Sequence, residues 1–335
     1  MDWFEKLTGF KEVNYEETRS NLEVNNQTLC SKVNGAKYGI GEFEINSLET
    51  LRNRAKSSKI LSGEIKTSIV TGDVRQMHQD NPGSLFQVAS QFNLLEMASP
   101  NVTPEDGVTG YQYDRTQGPA CAIAAGAATI YRNYFAPFQD TIGQTSTRQI
   151  DCLFDVGVTL SKAIKLPASD LWKMKNGYAL CTQKGLKTIN DHLKSLTKEN
   201  IDLIRQKLNI GIHYNVEVTD SQKSQQVLVS QAFCSALPVA YSNILPDDWE
   251  PFALVVLEAA YEATLWTTVL NAKKSGSNVV FLTLLGGGAF GNKNIWICSA
   301  IRRAINLLKN YDLDIRFVSY GAPQKELIEI NEEFK

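Results

Sequence analysis

Short apolar stretches alternate with longer helical patterns over most of the chain, from about residue 66 onward. The predicted strands are TSIV (67–70), LFQVA (85–89), QVLVSQAF (226–233), VVFLTLL (279–285) and DIRFVS (314–319). The predicted helices are an alanine-rich helix over 119–135, a long amphipathic helix over about 252–274 and a third over about 294–309. Strands that alternate with helices in this way predict the α/β class, built as a three-layer α/β/α sandwich.

Two segments depart from this alternation. Residues 1–60 are polar and rich in Asn, Glu and Lys, and they predict an N-terminal accessory segment with short helices and one strand-like stretch, GAKYGIGEFEI. The main domain is expected over 61–335. Within it, residues from about 140 to 218 carry charged helical sequence around a short NGYAL strand. We interpret that part as a helical insertion packed on the sandwich, because no low-complexity linker or repeat separates it.

Composition and charge exclude several classes of protein. Hydrophobic residues make up 43% of the 335 residues, which is enough for a substantial core, and the formal net charge of −2 gives no general attraction to nucleic acid or anionic membrane. The six cysteines lack a C-x-x-C pair and the three histidines lack metal-ligand spacing, so free thiols and metal-independent chemistry are expected. Apolar runs are too short to span a bilayer and the N-terminus lacks an apolar signal core, which predicts a cytoplasmic protein.

A run of glycines follows the strand at 279–285. Gly286, Gly287, Gly288 and Gly291 in LTLLGGGAFGN stand between that strand and a predicted helix. Glycine lets backbone approach an anion closely, and a helix start offers free N–H donors, so this loop predicts a site for a nucleotide or another phosphorylated small molecule. A plain strand-to-helix turn without a ligand is the alternative.

The same glycines match G-x-G-x-x-G, which raises the possibility of a nicotinamide-dependent oxidoreductase. A Rossmann unit needs an acidic residue at the end of the next strand to hold the ribose hydroxyls. The next strand here ends in Ser319-Tyr320-Gly321, and no further strand is predicted after it. We therefore keep the oxidoreductase as a second alternative.

The middle of the chain carries a second group of candidate residues. A buried strand is predicted to end at Asn93, and after a polar loop Gly118-Pro119 starts a helix of small side chains that includes Ala120 and Cys121. Small side chains leave room for a ligand, although close packing of the helix on the sheet explains them equally well. Proline suits the first turn of such a helix.

Carboxylates are concentrated in the polar loop between that strand and that helix. They are Glu96, Glu105, Asp106 and Asp114, and Gln117 follows them. Surface carboxylates are usually only solvated. Four of them in a chain that also has an anion-binding loop favour general acid and base chemistry.

These motifs in this order resemble the macrodomain family, the ADP-ribose-binding α/β/α sandwich with a mixed central sheet. The resemblance rests on VTGDV (70–74), QFN (91–93), SQAFCSALPVAYS (230–242) and LLGGGAFGN (284–292). It implies that Asp73 holds the adenine amino group with Val74 beside it, that Asn93 faces the distal ribose, and that Phe290 covers a ribose. The predicted ligand-binding residues are Asp73, Val74, Asn93, Glu105, Gln117, Gly118, Ala120, Cys121, Gly286, Gly287, Gly288, Ala289, Phe290, Gly291 and Asn292.

QFNLLEM, YDRTQGPACA and LLGGGAFGN together resemble a narrower subgroup, that of MavL-type bacterial effectors, which remove ADP-ribose from arginine of ubiquitin. The chain departs from other branches: the first loop, TQGPAC, is not glycine-rich, and the paired glutamates of poly(ADP-ribose) glycohydrolases are absent after the glycines. The catalytic residues of those branches therefore do not transfer. The resemblance implies ADP-ribose as ligand and product, no cofactor, a modified protein such as ubiquitin as partner, and, for a secreted effector, the host cytosol.

The resulting hypothesis is a hydrolase that removes mono-ADP-ribose from protein side chains, with arginine favoured as the acceptor. Cleavage at C1″ of the distal ribose passes through a positively charged, oxocarbenium-like state, which carboxylates stabilise. We predict Asp114 and Asp106 as the catalytic pair, with Glu96 in reserve. A module that binds ADP-ribose without cleaving it is the first alternative.

Overall fold

The computed structural model describes residues 1–57, 62–221 and 225–335. Its strands are β1 (Leu22–Asn25), β2 (Thr28–Ser31), β3 (Lys37–Gly39), β4 (Glu42–Ser47), β5 (Ile65–Thr71), β6 (Leu85–Ala89), β7 (Pro137–Phe138), β8 (Thr141–Ile142), β9 (Trp172–Lys175), β10 (Tyr178–Cys181), β11 (Asn209–Glu217), β12 (Leu228–Cys234), β13 (Val279–Leu282) and β14 (Leu313–Ser319). Its helices are α1 (Trp3–Thr8), α2 (Tyr15–Ser20), α3 (Leu48–Lys56), α4 (Val74–Asp80), α5 (Gln117–Ala124), α6 (Gly126–Tyr134), α7 (Phe154–Ile164), α8 (Ala168–Leu171), α9 (Gln183–Ser195), α10 (Lys198–Arg205), α11 (Glu250–Ser275), α12 (Asn294–Leu307) and α13 (Lys325–Glu333).

A mixed seven-stranded sheet forms the centre of the molecule, in the order β4-β11-β12-β6-β13-β14-β5. The five strands from β12 to β5 run parallel to one another, and β11 runs antiparallel to them. Strand β4 pairs antiparallel with β11 at the sheet edge, so it runs in the direction of the other five. The parallel strands in the middle of the sheet are buried on both faces, as β6 and β12 illustrate, which explains their continuous apolar sequence. Their carboxyl ends meet at one edge of the sheet, where ligands bind in open α/β folds.

Helices cover both faces of the sheet. One layer contains α11 with α3 and α12 packed on it, and the other contains α4, α5 and α6. The predicted α/β class and the three-layer sandwich with a mixed central sheet are therefore confirmed. Among the described residues, Pro246–Ser275 is the one helical stretch long and apolar enough to cross a membrane, yet 89% of its most apolar window lies buried inside the molecule, as in the core helix of a globular protein.

The N-terminal segment contributes to the central sheet. Strand β4 pairs with β11 at the sheet edge, and α3 packs on α11. The remainder forms α1, α2 and a three-stranded sheet of β1, β2 and β3. The predicted boundary near residue 60 falls at residues 58–61, outside the described residues, and it stays a prediction.

The predicted end of the insertion needs a correction. Residues Asn209–Glu217 form β11, which pairs with β12 on one side and β4 on the other, so they belong to the central sheet. The sequence does not predict this strand, because Gly211 and His213 interrupt its run of apolar residues. Gly211 packs closely on Leu94, since a Cβ atom would lie 2.4 Å from Leu94 Cδ1 and would force that side chain to move. The helices α7 to α10 and the β9-β10 hairpin form the rest of the predicted insertion.

Three element ends also differ from the sequence predictions. Strand β6 ends at Ala89, so Asn93 lies in the turn that follows it. The predicted helix over 119–135 is two helices, α5 and α6, which meet at Ala125. Strand β13 ends at Leu282, and the following residues already belong to the glycine loop.

Candidate functional site

A cavity of about 380 Å³ lies at the carboxyl ends of β6 and β13. Residues 89–98, residues 114–119 and the glycine loop supply most of its lining, and single residues from other parts of the chain complete it. The lining residues are Ala89, Ser90, Gln91, Glu96, Met97, Ala98, Asp114, Arg115, Thr116, Gln117, Pro119, Tyr178, Ala236, Tyr241, Thr283, Leu284, Leu285, Gly286, Gly288, Ala289, Phe290 and Tyr320. The structure thus brings two loops to one site: the carboxylate-bearing loop over residues 94–116, called the acidic loop below, and the glycine loop.

The glycine loop presents backbone N–H groups to this cavity. Three of its N–H groups are used internally: Gly287 donates to Leu284, Gly291 to Gly288 and Asn292 to Gly286, at 2.9–3.0 Å. Within the described residues, the N–H groups of Gly288 and Ala289 have no backbone acceptor, and both residues are exposed. Backbone N–H groups that lack an internal acceptor can bind an anion.

Two side chains hold the glycine loop in shape. The Tyr261 hydroxyl, on the core helix α11, donates to the Thr283 carbonyl at 2.7 Å and accepts the Leu285 N–H at 2.8 Å. Asn292 is buried and donates to the Leu237 carbonyl at 2.8 Å. Gly286 has a φ of 73°, and a Cβ there would lie 2.4 Å from Ala236 Cβ, so only glycine fits this turn without strain.

Glu96 is a buried carboxyl group on the wall of the cavity. Its side chain is 1% exposed, and neither carboxyl oxygen has a hydrogen-bond partner among the described residues. Arg132 Nη2 lies 3.6 Å from Glu96 Oε2, within ion-pair range but beyond a hydrogen bond, so the guanidinium compensates the carboxylate only in part. Burial raises the pKa of Glu96 to about 7, against the opposing effect of Arg132.

Arg132 is itself fully buried and held from several directions. Its Nε donates to the Leu94 carbonyl at 3.2 Å and its Nη2 to Thr129 Oγ1 at 3.1 Å. The guanidinium also stacks 3.8 Å above the Phe233 ring. These contacts fix the cation beside Glu96 and prevent it from turning to form a closer, bidentate pair.

Asp114 reaches the cavity from the turn before α5. Its Oδ1 accepts the Thr116 N–H at 2.8 Å, and the side chain is half-buried. Gln117 lines the cavity too, but its amide is occupied: it accepts the Ala89 N–H at 2.9 Å and donates to the Gln87 carbonyl at 2.8 Å. Gly118 allows this close docking of α5 on β6, because a Cβ atom there would lie 1.9 Å from the Ala89 carbonyl oxygen.

An aromatic cluster forms the opposite wall. The rings of Tyr178, Tyr241 and Phe290 lie with centroids 5.0–5.6 Å apart. Tyr178 comes from the β9-β10 hairpin, whose turn is Asn176-Gly177, with both residues at positive φ. Its hydroxyl donates to the Met97 carbonyl at 2.6 Å, which ties the hairpin to the acidic loop. Tyr320, 89% exposed, stands at the rim.

Glu105 and Asp106 lie outside this cavity. Asp106 is exposed and caps the 3₁₀ helix Pro104–Asp106, because its carboxylate accepts the N–H and hydroxyl of Thr103. Glu105 accepts the N–H of Ser146 at 2.8 Å and its hydroxyl at 2.9 Å. The structure therefore does not bring Asp106 together with Asp114 as a catalytic pair. Glu96 is the second carboxyl group at the cavity.

Asn93 is also absent from the cavity wall. It is fully buried, and its amide donates to Gln149 Oε1 at 2.9 Å and accepts the Leu95 N–H at 3.2 Å. Asp73 is exposed and starts α4 by accepting the Arg75 N–H, and Val74 is buried beneath it. Strand β5, which leads to Asp73, is two strands away from β13, so this pair lies beyond the cavity described here.

The remaining predicted ligand residues surround the cavity without lining it. Cys121 is fully buried, where burial raises the pKa of its thiol well above the ordinary value, and its carbonyl accepts a hydrogen bond from Gln231. Ala120 is half-buried beside it. Gly287, Gly291 and Asn292 shape the glycine loop from behind. All six cysteines are unpaired, and no cluster of three or more potential metal ligands occurs in the described parts of the chain.

Several residues at this site escaped the sequence analysis. Arg132 and Tyr320 carry no local motif, and Tyr241 lies within SQAFCSALPVAYS without a predicted role, since only the tertiary fold brings these residues to Glu96 or to the cavity. Tyr178 had a usable signal: the Asn-Gly pair before it is typical of a two-residue hairpin turn. The capping role of Asp106 was also readable, because Thr103 and Asp106 have the spacing of a capping box.

Comparisons with known proteins found similarity only among solved structures. No family model and no curated protein matches the chain. The chain is similar to poly(ADP-ribose) glycohydrolase from Deinococcus radiodurans in complex with ADP-ribose, with 10% identity, a TM-score of 0.45 and coverage of 85% of this chain and 90% of that chain. It is also similar to the enzyme from Thermomonospora curvata, free (10% identity, TM-score 0.43) and bound to the inhibitor ADP-HPD (11% identity, TM-score 0.42), each covering 93% of this chain and 92% of that chain. Similarities at this level do not assign an activity to the chain.

Proposed function

We propose that the protein is a macrodomain-like hydrolase that releases ADP-ribose from a modified protein side chain by cleavage at C1″ of the distal ribose. The observation that carries the proposal is Glu96, a residue with a buried and unpartnered carboxyl group that lines the same cavity as a glycine loop with free N–H groups. This reaction requires a binding site for a dinucleotide-sized anion and an acid or base near the bond that breaks. The motif resemblance supplies ADP-ribose as the ligand.

The cavity offers complementary surfaces to such a ligand. The N–H groups of Gly288 and Ala289 would bind a phosphate, because backbone donors without an internal acceptor can donate to its oxygens. The aromatic cluster of Tyr178, Tyr241 and Phe290 would pack against a ribose, which brings C1″ toward Glu96 and Asp114. Arg-linked mono-ADP-ribose is our preferred substrate, with ubiquitin as a candidate acceptor, because of the resemblance to MavL-type effectors.

Two carboxyl groups then divide the chemistry. Protonated Glu96 donates its proton to the leaving nitrogen as the C1″–N bond breaks, and that nitrogen keeps the bonding electron pair. Asp114 takes a proton from the water whose oxygen forms the new bond to C1″. The products are ADP-ribose with a C1″ hydroxyl and the unmodified side chain, and solvent returns the proton from Asp114 to Glu96.

The experiment compares Glu96→Gln with Asp106→Asn in a release assay on arginine-linked and ester-linked ADP-ribosylated protein. Glu96→Gln should lower turnover by about 10²- to 10⁴-fold, because glutamine has no proton to donate. Calorimetry should show that it still binds ADP-ribose within about threefold of the wild-type affinity, since the lost interaction acts in the transition state. Asp106→Asn is the matched control, because Asp106 lies outside the cavity, and its turnover should be unchanged.

Each outcome separates the competing functions. Wild-type binding of ADP-ribose without release from either substrate would favour the non-catalytic reader. Tighter binding of NAD⁺ than of ADP-ribose would favour the oxidoreductase. Full activity of Glu96→Gln would refute the role given to Glu96.

A further inference from the structure

The N-terminal segment contacts the acidic loop through one carboxylate, Glu12. Its Oε2 accepts two consecutive backbone N–H groups, Val108 at 2.8 Å and Thr109 at 2.6 Å. Its Oε1 accepts the hydroxyl of buried Tyr134 at 2.8 Å, which anchors the carboxylate to α6. Two N–H groups held by one charged oxygen form a strong and directional contact.

The backbone held by Glu12 is the start of the 3₁₀ helix Thr109–Tyr113. Tyr111, in the middle of this helix, is buried, and its hydroxyl accepts the Glu96 N–H at 3.1 Å. The Tyr111 carbonyl accepts the Asp114 N–H, also at 3.1 Å. One tyrosine therefore contacts the backbone of both carboxyl residues at the cavity.

A second contact from the N-terminal segment supports the same helix. The indole N–H of Trp3, in α1, donates to the Thr109 carbonyl at 3.2 Å. Gly107 is adjacent, and a Cβ atom there would lie 2.4 Å from Glu12 Cδ, so the carboxylate packs directly on the backbone. The loop is thus fixed by residues 96 to 106 positions earlier in the chain.

We infer that Glu12 is a positioning residue: it fixes the helix Thr109–Tyr113 and, through Tyr111, sets the positions of Glu96 and Asp114. This inference rests on the proposed function and gives the N-terminal segment a role in it. Glu12 contacts neither the cavity nor a reacting atom. Small displacements of catalytic groups are costly, since a shift of about 1 Å can lower a rate by about 10²-fold.

The test compares Glu12→Ala and Glu12→Gln with Glu16→Ala, a control at an exposed carboxylate of the same segment. Glu12→Ala should lower kcat by about 10- to 100-fold and leave the affinity for free ADP-ribose within about threefold, because the glycine loop is untouched. Glu12→Gln keeps one oxygen acceptor and should recover part of that loss. The pH at which kcat changes should be lower in Glu12→Ala than in wild type. A loosened loop lets water reach Glu96, and hydration lowers the pKa of its carboxyl group.

Amide hydrogen exchange supplies a readout that needs no activity. Residues 108–114 should exchange faster in Glu12→Ala than in wild type, and the glycine loop should not change. Trp3→Phe keeps an aromatic ring in α1, loses one hydrogen bond to the helix Thr109–Tyr113 and should have the same effect on a smaller scale. It covers the case in which Glu12→Ala fails to fold.

The results distinguish this inference from the proposed function. Unchanged exchange at residues 108–114, or faster exchange with wild-type kcat and pH profile, would overturn the positioning role while wild-type release still supports the hydrolase. A wild-type protein that releases no ADP-ribose would refute the hydrolase and with it any role of Glu12 in catalysis, whatever the exchange rates.

Discussion

At the scale of single residues, the protonation state of Glu96 decides whether it can donate or accept a proton. Burial favours the neutral acid, and Arg132 at 3.6 Å favours the carboxylate without a hydrogen bond to it. Tyr111 and Cys121 also interact with Glu96, and burial keeps both of them neutral by raising their pKa values well above the ordinary range. A carboxyl group with a pKa near the working pH is suited to proton transfer in either direction.

This leads to a pH dependence with a definite sign. Because burial raises the pKa of Glu96 to about 7, the proton-donating form predominates below pH 7 and is lost above it. Turnover should therefore fall about tenfold per pH unit above pH 7 if donation by Glu96 limits the rate. Steady-state kcat measured from pH 5.5 to pH 9 checks this. A rate that rises through pH 7 would instead make Glu96 a base.

At the scale of elements, a network of charges joins four helices on one face of the sheet. Arg52 on α3 contacts Asp202 on α10 at 2.8 Å and Glu262 on α11 at 2.6 Å. Arg303 on α12 contacts the same two carboxylates, at 3.1 and 2.8 Å. Glu262 is 2% exposed, so each buried charge is balanced by opposite charges.

Asp202→Asn should destabilise the protein by about 1 to 3 kcal/mol at pH 7, because it leaves Arg52 and Arg303 partly unpaired. Burial alone would raise the pKa of Asp202, but hydrogen bonds from Arg52 and Gln206 and the nearby arginines lower it to about 2. A lowered pKa contributes stability above the unfolded value near 4 that disappears as the pH falls through 2. Urea unfolding at pH 7 and pH 3 measures the free energy of unfolding of variant and wild type. The difference between the two should be smaller at pH 3, and an equal difference at both pH values would contradict the stabilising role of ionised Asp202.

The elements also show what the sequence could and could not predict. Strand β6 and the approximate limits of α11 and α12 were predictable, because each is an apolar stretch with end signals such as Gly276 after α11. The predicted amphipathic character of α11 was wrong, since nearly every residue from Phe252 to Asn271 is buried.

Strand β11 was not predictable. It is buried on both faces, and Gly211, which packs on Leu94, interrupts its run of apolar residues. The convergence of the acidic and glycine loops followed from topology, since parallel strand ends meet at one edge. Which carboxylate of the loop faces inward depends on tertiary contacts such as that between Tyr111 and Glu96.

At the scale of the whole molecule, ligand binding and stability are linked. ADP-ribose at 100 times its Kd should stabilise the folded protein by about 2.7 kcal/mol, which for a chain of this length raises Tm by about 4 °C. Gly288→Ala should lose most of this shift, because its Cβ would occupy the space above the loop. A Cβ at Gly288 meets no protein atom within 4 Å, so the variant should fold normally.

Differential scanning fluorimetry with and without ADP-ribose measures the Tm of each variant and the shift in Tm that the ligand causes. Gly110→Ala is the matched control, because its Cβ also meets no atom within 4 Å and Gly110 does not line the cavity. It should keep the wild-type shift. An equal shift in Gly288→Ala would place the phosphate elsewhere.

The β9-β10 hairpin has a consequence for how substrate choice can diverge. Its two strands pair with each other and with no strand of the seven-stranded sheet, and the hairpin inserts Tyr178 into the cavity wall. Exchanging this loop for one of another length would therefore alter the shape offered to an incoming acceptor without disturbing any strand of the scaffold. The hairpin is a natural place to graft new selectivity, and a chimera carrying a foreign hairpin between Leu171 and Thr182 would be the most economical way to obtain it.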